Sequence, residues 1–377
     1  MFKCYKIVQT VPDGTEQLKV FLKGGFIMNE WVKDFGRTDN GEQATLYTIR
    51  AGGYTASVTD YGAALVSFTI KAEDSTPIDV VLGYDCATDY ERSDACFGAT
   101  VGRNANRIGG AEFTLNGRTY RLAKNDGENN LHSGPDVYYK RMWKTRGIES
   151  DGASISLTLD TPDGDQGYPG AFSVTVTYHL DSEGNLSIHY EGISDQDTLC
   201  NMTNHSYFNL NGIGNGDILD HNLKLFSDQI TEIDSGTIPT GKLLSVGGTP
   251  FDFRNGKSIG ADINADNEQL RFGNGYDHNF VFAMDKGETR KMAEVFSSVT
   301  GLQLDVYSDL PGMQLYTANY VNRHTAKSGH VYDRRCGFAL ETQYFPNSIN
   351  IEGFASPILP AGQKYESTTT YKLSFRE

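Results

Sequence analysis

The sequence predicts an all-β fold: a large antiparallel β-sandwich with few short helices. Three observations carry this. Apolar residues alternate with period two in stretch after stretch, turn signals separate those stretches, and long amphipathic helical windows are scarce. The chain of 377 residues exceeds the roughly 100–200 of a common domain, but β-sandwiches reach such lengths as one unit. We therefore expect one domain over residues 34–377, after an extension over 1–33 of unclear role. In that extension "LKVFLKGGFIM" (18–28) is broken by Lys19 and Lys23 and has no small-residue cleavage site after it. It does not read as a signal peptide, and Met28 is an alternative start.

In chain order, a short helical window falls near 85–95, and "LNGR" (115–118) reads as a turn. "SISLTLD" (154–160) places Ile155, Leu157 and Leu159 on one face, because successive strand side chains point to opposite sides. "PDGDQGYPG" (162–170) turns the chain. "FSVTVTYHL" (172–180) then sets Phe172, Val174, Val176, Tyr178 and Leu180 against Ser173, Thr175, Thr177 and His179. "DSEGN" (181–185) turns it again, and a second helical window falls near 258–270. "LQLDVY" (302–307) and "YKLSF" (371–375) alternate in the same way, with the turn "PAGQ" (360–363) between them. No strand–helix alternation appears, so the sheets are expected to be antiparallel and packed face to face.

Composition narrows the function. Lys and Arg total 33 against 48 Asp and Glu, a net charge of −15. Such a surface repels phosphate backbones and anionic membranes, so no nucleic-acid or membrane partner is expected. No run of about 18 apolar residues exists to span a bilayer. The five cysteines (Cys4, Cys86, Cys96, Cys200, Cys336) are odd in number and scattered, without a C-x-x-C. That argues against a disulfide framework or a cysteine zinc site, and for reduced thiols in a cytoplasmic protein.

Dense polar side chains sit beside aromatics in four stretches: "GATVGRNANRIGG" (98–110), "NNLHSGP" (129–135), "NMTNHSYFNLNG" (201–212) and "FALETQYFPNSIN" (338–350). The first lacks the G-K-[ST] of a phosphate loop and opens no helix. No G-x-S-x-G, H-x-x-x-H or H-x-H is present. Glu341 stands between Phe338, Leu340, Tyr344 and Phe345. It is either a solvated residue on an edge strand or a buried carboxylate that costs several kcal/mol unless paired. His205 is likewise either a satisfied structural histidine or a proton carrier. His179 and His189 read as strand residues, and His221, His324 and His330 as solvated loop residues. Amides, a few charges and aromatic faces (21 Tyr, 20 Phe, 2 Trp) suit a neutral polyhydroxylated ligand.

These stretches, with "TPDGDQGYPG", "DSGTIPTGK", "GYDHNFVF" and "PGMQLYTAN" in their order along the chain, resemble the aldose 1-epimerase (galactose mutarotase) family. The resemblance covers roughly residues 34–375. It implies a mutarotase-like supersandwich and an isomerase that interconverts the α and β anomers of aldohexoses such as galactose and glucose. It further implies Glu341 as general base and His205 as general acid. Asn106, Arg107, His132, Asp277, Gln314 and Tyr207 would line the sugar site, while Arg103 would be structural. Ser133 and Pro135 depart from the family's Gly-rich continuation after the Leu-His pair, which bears on that loop. No metal or other cofactor is expected, the partner is a small aldose, and the protein is a monomer or homodimer. A carboxylate and a histidine can divide the two proton transfers if the histidine's pKa is nudged upward, as a nearby Glu341 charge would do. Two neighbouring readings are a hexose-6-phosphate 1-epimerase, which needs an added basic cluster, and a non-catalytic sugar-binding protein. A glycosidase would need two paired carboxylates.

Overall fold

Among the described residues, three larger antiparallel sheets build the body of the molecule. The structure is a computed structural model that describes residues 5–10, 16–21, 27–28, 31–71, 76–282 and 287–376. Within the 1–33 extension, the described strands Tyr5–Thr10, Glu16–Phe21 and Ile27–Met28 pair as a small antiparallel sheet.

Among the described residues the largest sheet has nine strands. Its centre is Ser154–Thr161, Phe172–Leu180, Asn185–Ser194, Lys364–Phe375 and Leu302–Ser308, side by side in that order. The alternation read from the sequence sets the register: Leu157 faces Val176, and Val176 faces Tyr190. Leu157, Val176 and Ile188 are wholly buried, and each such side chain contributes about 1.5–3 kcal/mol by leaving water. On the other face Thr158 and Thr175 share a hydroxyl hydrogen bond of 2.8 Å, and Ser156 and Thr177 one of 2.9 Å.

A six-stranded sheet runs Tyr207–Phe208, Phe338–Gln343, Gly312–Tyr316, Asp277–Val281, Gln229–Ile233 and Pro239–Ser245. A five-stranded sheet spans Val32–Arg37 to Ile78–Asp79. One apolar cluster joins all three, through Ile49 and Val58 of the five-stranded sheet, Leu157 and Val176 of the nine-stranded, and Phe280, Leu315 and Leu340 of the six-stranded.

The first helix, Ala87–Arg92, falls inside its predicted window. The second does not fill the window at 258–270. It is Glu268–Gly273, started by Asn267, whose side chain accepts from the N–H groups of Gln269 and Leu270. Before that cap the chain pairs as a strand at Lys257–Ser258 and then turns. The cap decides the boundary, because it satisfies N–H groups that the first helical turn leaves unpaired. No helix among the described residues is long and apolar enough to cross a membrane.

Candidate active site

The strand Phe338–Gln343 is buried along its whole length. Phe338 and Leu340 join the apolar core, so period two turns Ala339, Glu341 and Gln343 to the other face. Register extends that face across the sheet. Glu341 lies opposite Gln314, and Gln314 opposite Asn279. In the next row Tyr207, Ala339, Tyr316 and Asp277 are aligned. Four of the eight sequence-chosen residues (Glu341, Gln314, Asp277 and Tyr207) thus share one sheet face.

Three segments beside the sheet bring the rest. Thr203–His205 pairs with Ala99–Val101, which sets His205 beside the sheet. Asn204 fixes this local backbone: its Nδ2 donates to the Gly98 carbonyl at 3.1 Å, and its Oδ1 accepts the Ser206 N–H at 3.1 Å. Asn201 clamps the end of the Glu341 strand, accepting from the Tyr344 N–H at 2.9 Å. Its own backbone bonds Arg103 and Ala105 in the loop that leads to Asn106 and Arg107. Asn106 and His132 both hold left-handed backbone (φ 59° and 52°), which is uncommon outside glycine and collects at functional sites. They lock together: the His132 N–H donates to the Asn106 carbonyl at 3.0 Å, and the Asn106 N–H to His132 Nδ1 at 3.1 Å. Ser133 is buried and bonds both backbone groups of Asn104, so the departure at this position still yields an ordered loop.

The result is a cleft of about 190 Å³ lined by Asn106, Arg107, His132, His205, Tyr207, Asp277 and Glu341. That is smaller than the roughly 300–1,000 Å³ of pockets for drug-sized ligands. Gln314 reaches the same constellation by donating from Nε2 to Asp277 Oδ1 at 2.7 Å. Arg107 meets Asp126 at 2.7 Å and Asp277 at 3.8 Å. Asp94, Cys96, Leu131, Tyr316 and Tyr320 also line the cleft and were not singled out in the sequence. Tyr316 was findable, since it sits two residues beyond Gln314 in the same strand. Asp126 was not, because its partner Arg107 is nineteen positions away in a loop.

His205 Nε2 lies 3.4 Å from Glu341 Oε1, with both side chains almost wholly buried. The imidazole stacks on Tyr207 at 4.9 Å between ring centres and meets His132 edge-on at 5.5 Å. Burial pushes the Glu341 carboxyl well above the ordinary carboxylate range; the Asp277 charge adds to this and Arg107 opposes it. Burial pulls His205 down to about 4. This corrects the expectation of a histidine raised by a neighbouring carboxylate. At this depth the carboxyl favours its neutral form, so it offers little charge to hold an imidazolium, and desolvation wins. Both shifts favour a proton on the carboxyl over one on the imidazole.

His132, His205 and Glu341 present ligand-type atoms within 4.8 Å of one another, the donor set of many divalent-metal sites. His132 does not fit that role. The Asn106 N–H occupies its Nδ1 lone pair, so the neutral ring carries its proton on Nε2 and donates there. Burial, then the His205 and Arg107 charges, hold His132 well below its ordinary pKa.

Other residues fall elsewhere. Arg103 is wholly buried and donates to the Pro169 and Gly170 carbonyls at 2.8 and 3.0 Å, and to Thr161 and Thr198. His221, expected to be solvated, is buried instead, its Nε2 accepting the Leu210 N–H at 2.9 Å. Its polar neighbours Asp220 and Asn222 hide a backbone partner eleven residues upstream. His324 and His330 are half-buried.

With this geometry in hand, the comparisons with known proteins become specific. The family model described as aldose 1-epimerase matches residues 45–372. A galactose mutarotase of Bos taurus is 38% identical over 329 residues, covering 87% of this chain and 93% of that protein. An aldose 1-epimerase of Escherichia coli K12 is 36% identical over 337 residues, covering 88% and 96%. The crystal structure of an aldose epimerase homologue from C. elegans superposes with a TM-score of 0.81 at 28% identity, covering 89% of this chain and all of that one. That of a galactose 1-epimerase from Lactobacillus acidophilus gives 0.79 at 28% identity, covering 92% and 98%. The chain belongs to the aldose 1-epimerase family, and its class of chemistry is isomerisation.

Proposed function

We propose that this protein interconverts the α and β anomers of free aldohexoses such as galactose and glucose, with Glu341 and His205 moving the two protons. The observation that carries this is the buried Nε2–Oε1 approach of 3.4 Å, inside a cleft that also holds Arg107, Asp277 and His132. Ring opening removes a proton from the C1 hydroxyl and delivers one to the ring oxygen, and the C1–O5 bond breaks. Rotation about C1–C2 and reclosure on the other aldehyde face reverse both transfers.

A pair that holds a single proton suits this cycle. With Glu341 ionised and His205 protonated, it is set for the closed ring. After opening, the proton is on Glu341 and His205 is neutral, which is the form that burial favours. Each positioned transfer contributes typically ~10²–10⁴-fold. Asp277, Gln314, Asn106, Arg107 and the Nε2–H of His132 offer hydrogen bonds to sugar hydroxyls, and Tyr207 supports the His205 ring. We take residues 34–377 as the catalytic unit, in a monomer or a homodimer. The free thiols of Cys86, Cys96, Cys200 and Cys336 suit a reducing cytoplasm.

A sugar-phosphate substrate is disfavoured, because Arg107, the cation lining this cleft, already faces Asp126 and Asp277. Polarimetry tests the reading. Fresh α-galactose or α-glucose should relax to equilibrium rotation faster with the protein than in buffer. Relaxation at the buffer rate would rule the reading out.

A further inference from the structure

On the cleft-facing side of the six-stranded sheet stand two more amides, Asn279 in the row of Gln314 and Glu341 and Gln343 in the next row, 1% and 0% exposed. Asn279 is opposite Gln314, and Gln343 is opposite Gly312. A Cβ at Gly312 would stand 2.4 Å from Asn279 Oδ1 and 2.8 Å from the Phe345 ring. The missing side chain lets Gln343 reach diagonally. Its Nε2 meets Gln314 Oε1 at 3.3 Å and Asn279 Oδ1 at 3.4 Å. Gln314 in turn spends an N–H on Asp277 at 2.7 Å. Asn279 Nδ2 and Gln343 Oε1 have no partner among the described residues. Buried, half-satisfied amides destabilise a core that apolar side chains of the same size would fill. Packing therefore does not account for them.

We infer that Gln343, backed by Asn279, is a positioning residue for sugar binding. It holds the carbonyl end of Gln314, which keeps the amide N–H on Asp277 and presents both groups to the substrate in one fixed arrangement. The chain of contacts runs Asn279, Gln343, Gln314, Asp277 and then Arg107, so a change at its buried end reaches the cleft without touching Glu341 or His205. The inference rests on the proposed mutarotation for its meaning, but its test does not need turnover.

Steady-state polarimetry and equilibrium binding of galactose are measured on wild type, Gln343→Met, Asn279→Leu and the double variant. Gln343→Met should raise KM and Kd about tenfold, the scale of one hydrogen bond lost from a network, with kcat within about twofold. Asn279→Leu should do less. The double variant should be no worse than Gln343→Met, because Asn279 acts through Gln343. Gln343→Glu keeps the shape and donates only when protonated, so its KM should fall toward wild type as pH drops, while that of Gln343→Met does not. A role in packing alone would lower Tm and leave these splits unmoved. Wild-type KM and Kd in Gln343→Met, or a loss confined to kcat, would overturn the inference. If Gln343→Met does not fold, a pH-independent KM in Gln343→Glu would overturn it equally. A wild-type protein that binds galactose without interconverting it would instead defeat the catalytic reading and leave the binding comparison to decide this one.

Discussion

Two strands of this molecule alternate alike in sequence and differ in what their second face does. Phe172–Leu180 buries Phe172, Val174, Val176, Tyr178 and Leu180 and leaves Ser173, Thr175 and Thr177 half-exposed. Phe338–Gln343 buries both faces. Its polar face carries Glu341 and Gln343 at 2% and 0% exposure. A hydroxyl at the surface trades protein partners for water at little cost, whereas a carboxyl at depth shifts its pKa or finds a partner. The first strand holds the sandwich together, and the second places chemistry. Alternation alone does not separate them; the cover over the polar face does.

Substitutions on the two strands and their neighbours should divide accordingly. The largest effect is expected at the site. His205→Asn should lower kcat by about 10²–10⁴-fold with Tm nearly unchanged, as read by polarimetry and thermal unfolding. Wild-type turnover in this variant would erase the distinction. In the nine-stranded sheet, Leu157→Ala should reverse the pattern. It should destabilise by about 2–5 kcal/mol in urea unfolding, with kcat per folded molecule unchanged.

The pH dependence sharpens the comparison further. His205, held near 4 by burial, takes up a second proton only as pH falls through that value. Glu341, pushed up by burial, releases its proton only well above the ordinary carboxylate range. Between these limits the pair keeps one proton. The acid limb of kcat/KM, corrected for spontaneous mutarotation, should fall only near pH 4. An acid limb near 6.5, the ordinary histidine value, would show that burial does not control His205. The smallest effect belongs to the outer face of the sandwich. Thr175→Val removes one hydroxyl bond to Thr158 and should change stability by no more than about 0.5 kcal/mol, with kinetics unaltered.

Much of this was legible in the sequence for identifiable reasons. The central strands were visible because burial of one face forces a period of two, and Ser154–Thr161 and Phe172–Leu180 carry it unbroken. Glu341 stood out as a lone carboxylate among Phe338, Leu340 and Phe345. Long-range partners were not visible. Nothing local to Asp126 announces Arg107, and nothing beside His221 announces the Leu210 amide. The second helix was misplaced because a single Asn267 cap outweighed a loose apolar pattern. The direction of the His205 shift was misread because residue identity gives the neighbour but not the depth. Gln343 passed unnoticed because its role depends on a gap at Gly312, a residue close only across the sheet.

The claim that the buried Glu341–His205 pair carries the reaction is tested most directly by following optical rotation of fresh α-galactose at pH 7 with wild type and Glu341→Gln. Far-UV circular dichroism establishes that both are folded. Glu341→Gln should leave the trace at the buffer rate, at a concentration where wild type completes the relaxation. A Glu341→Gln protein that relaxes the sugar as fast as wild type would contradict the claim.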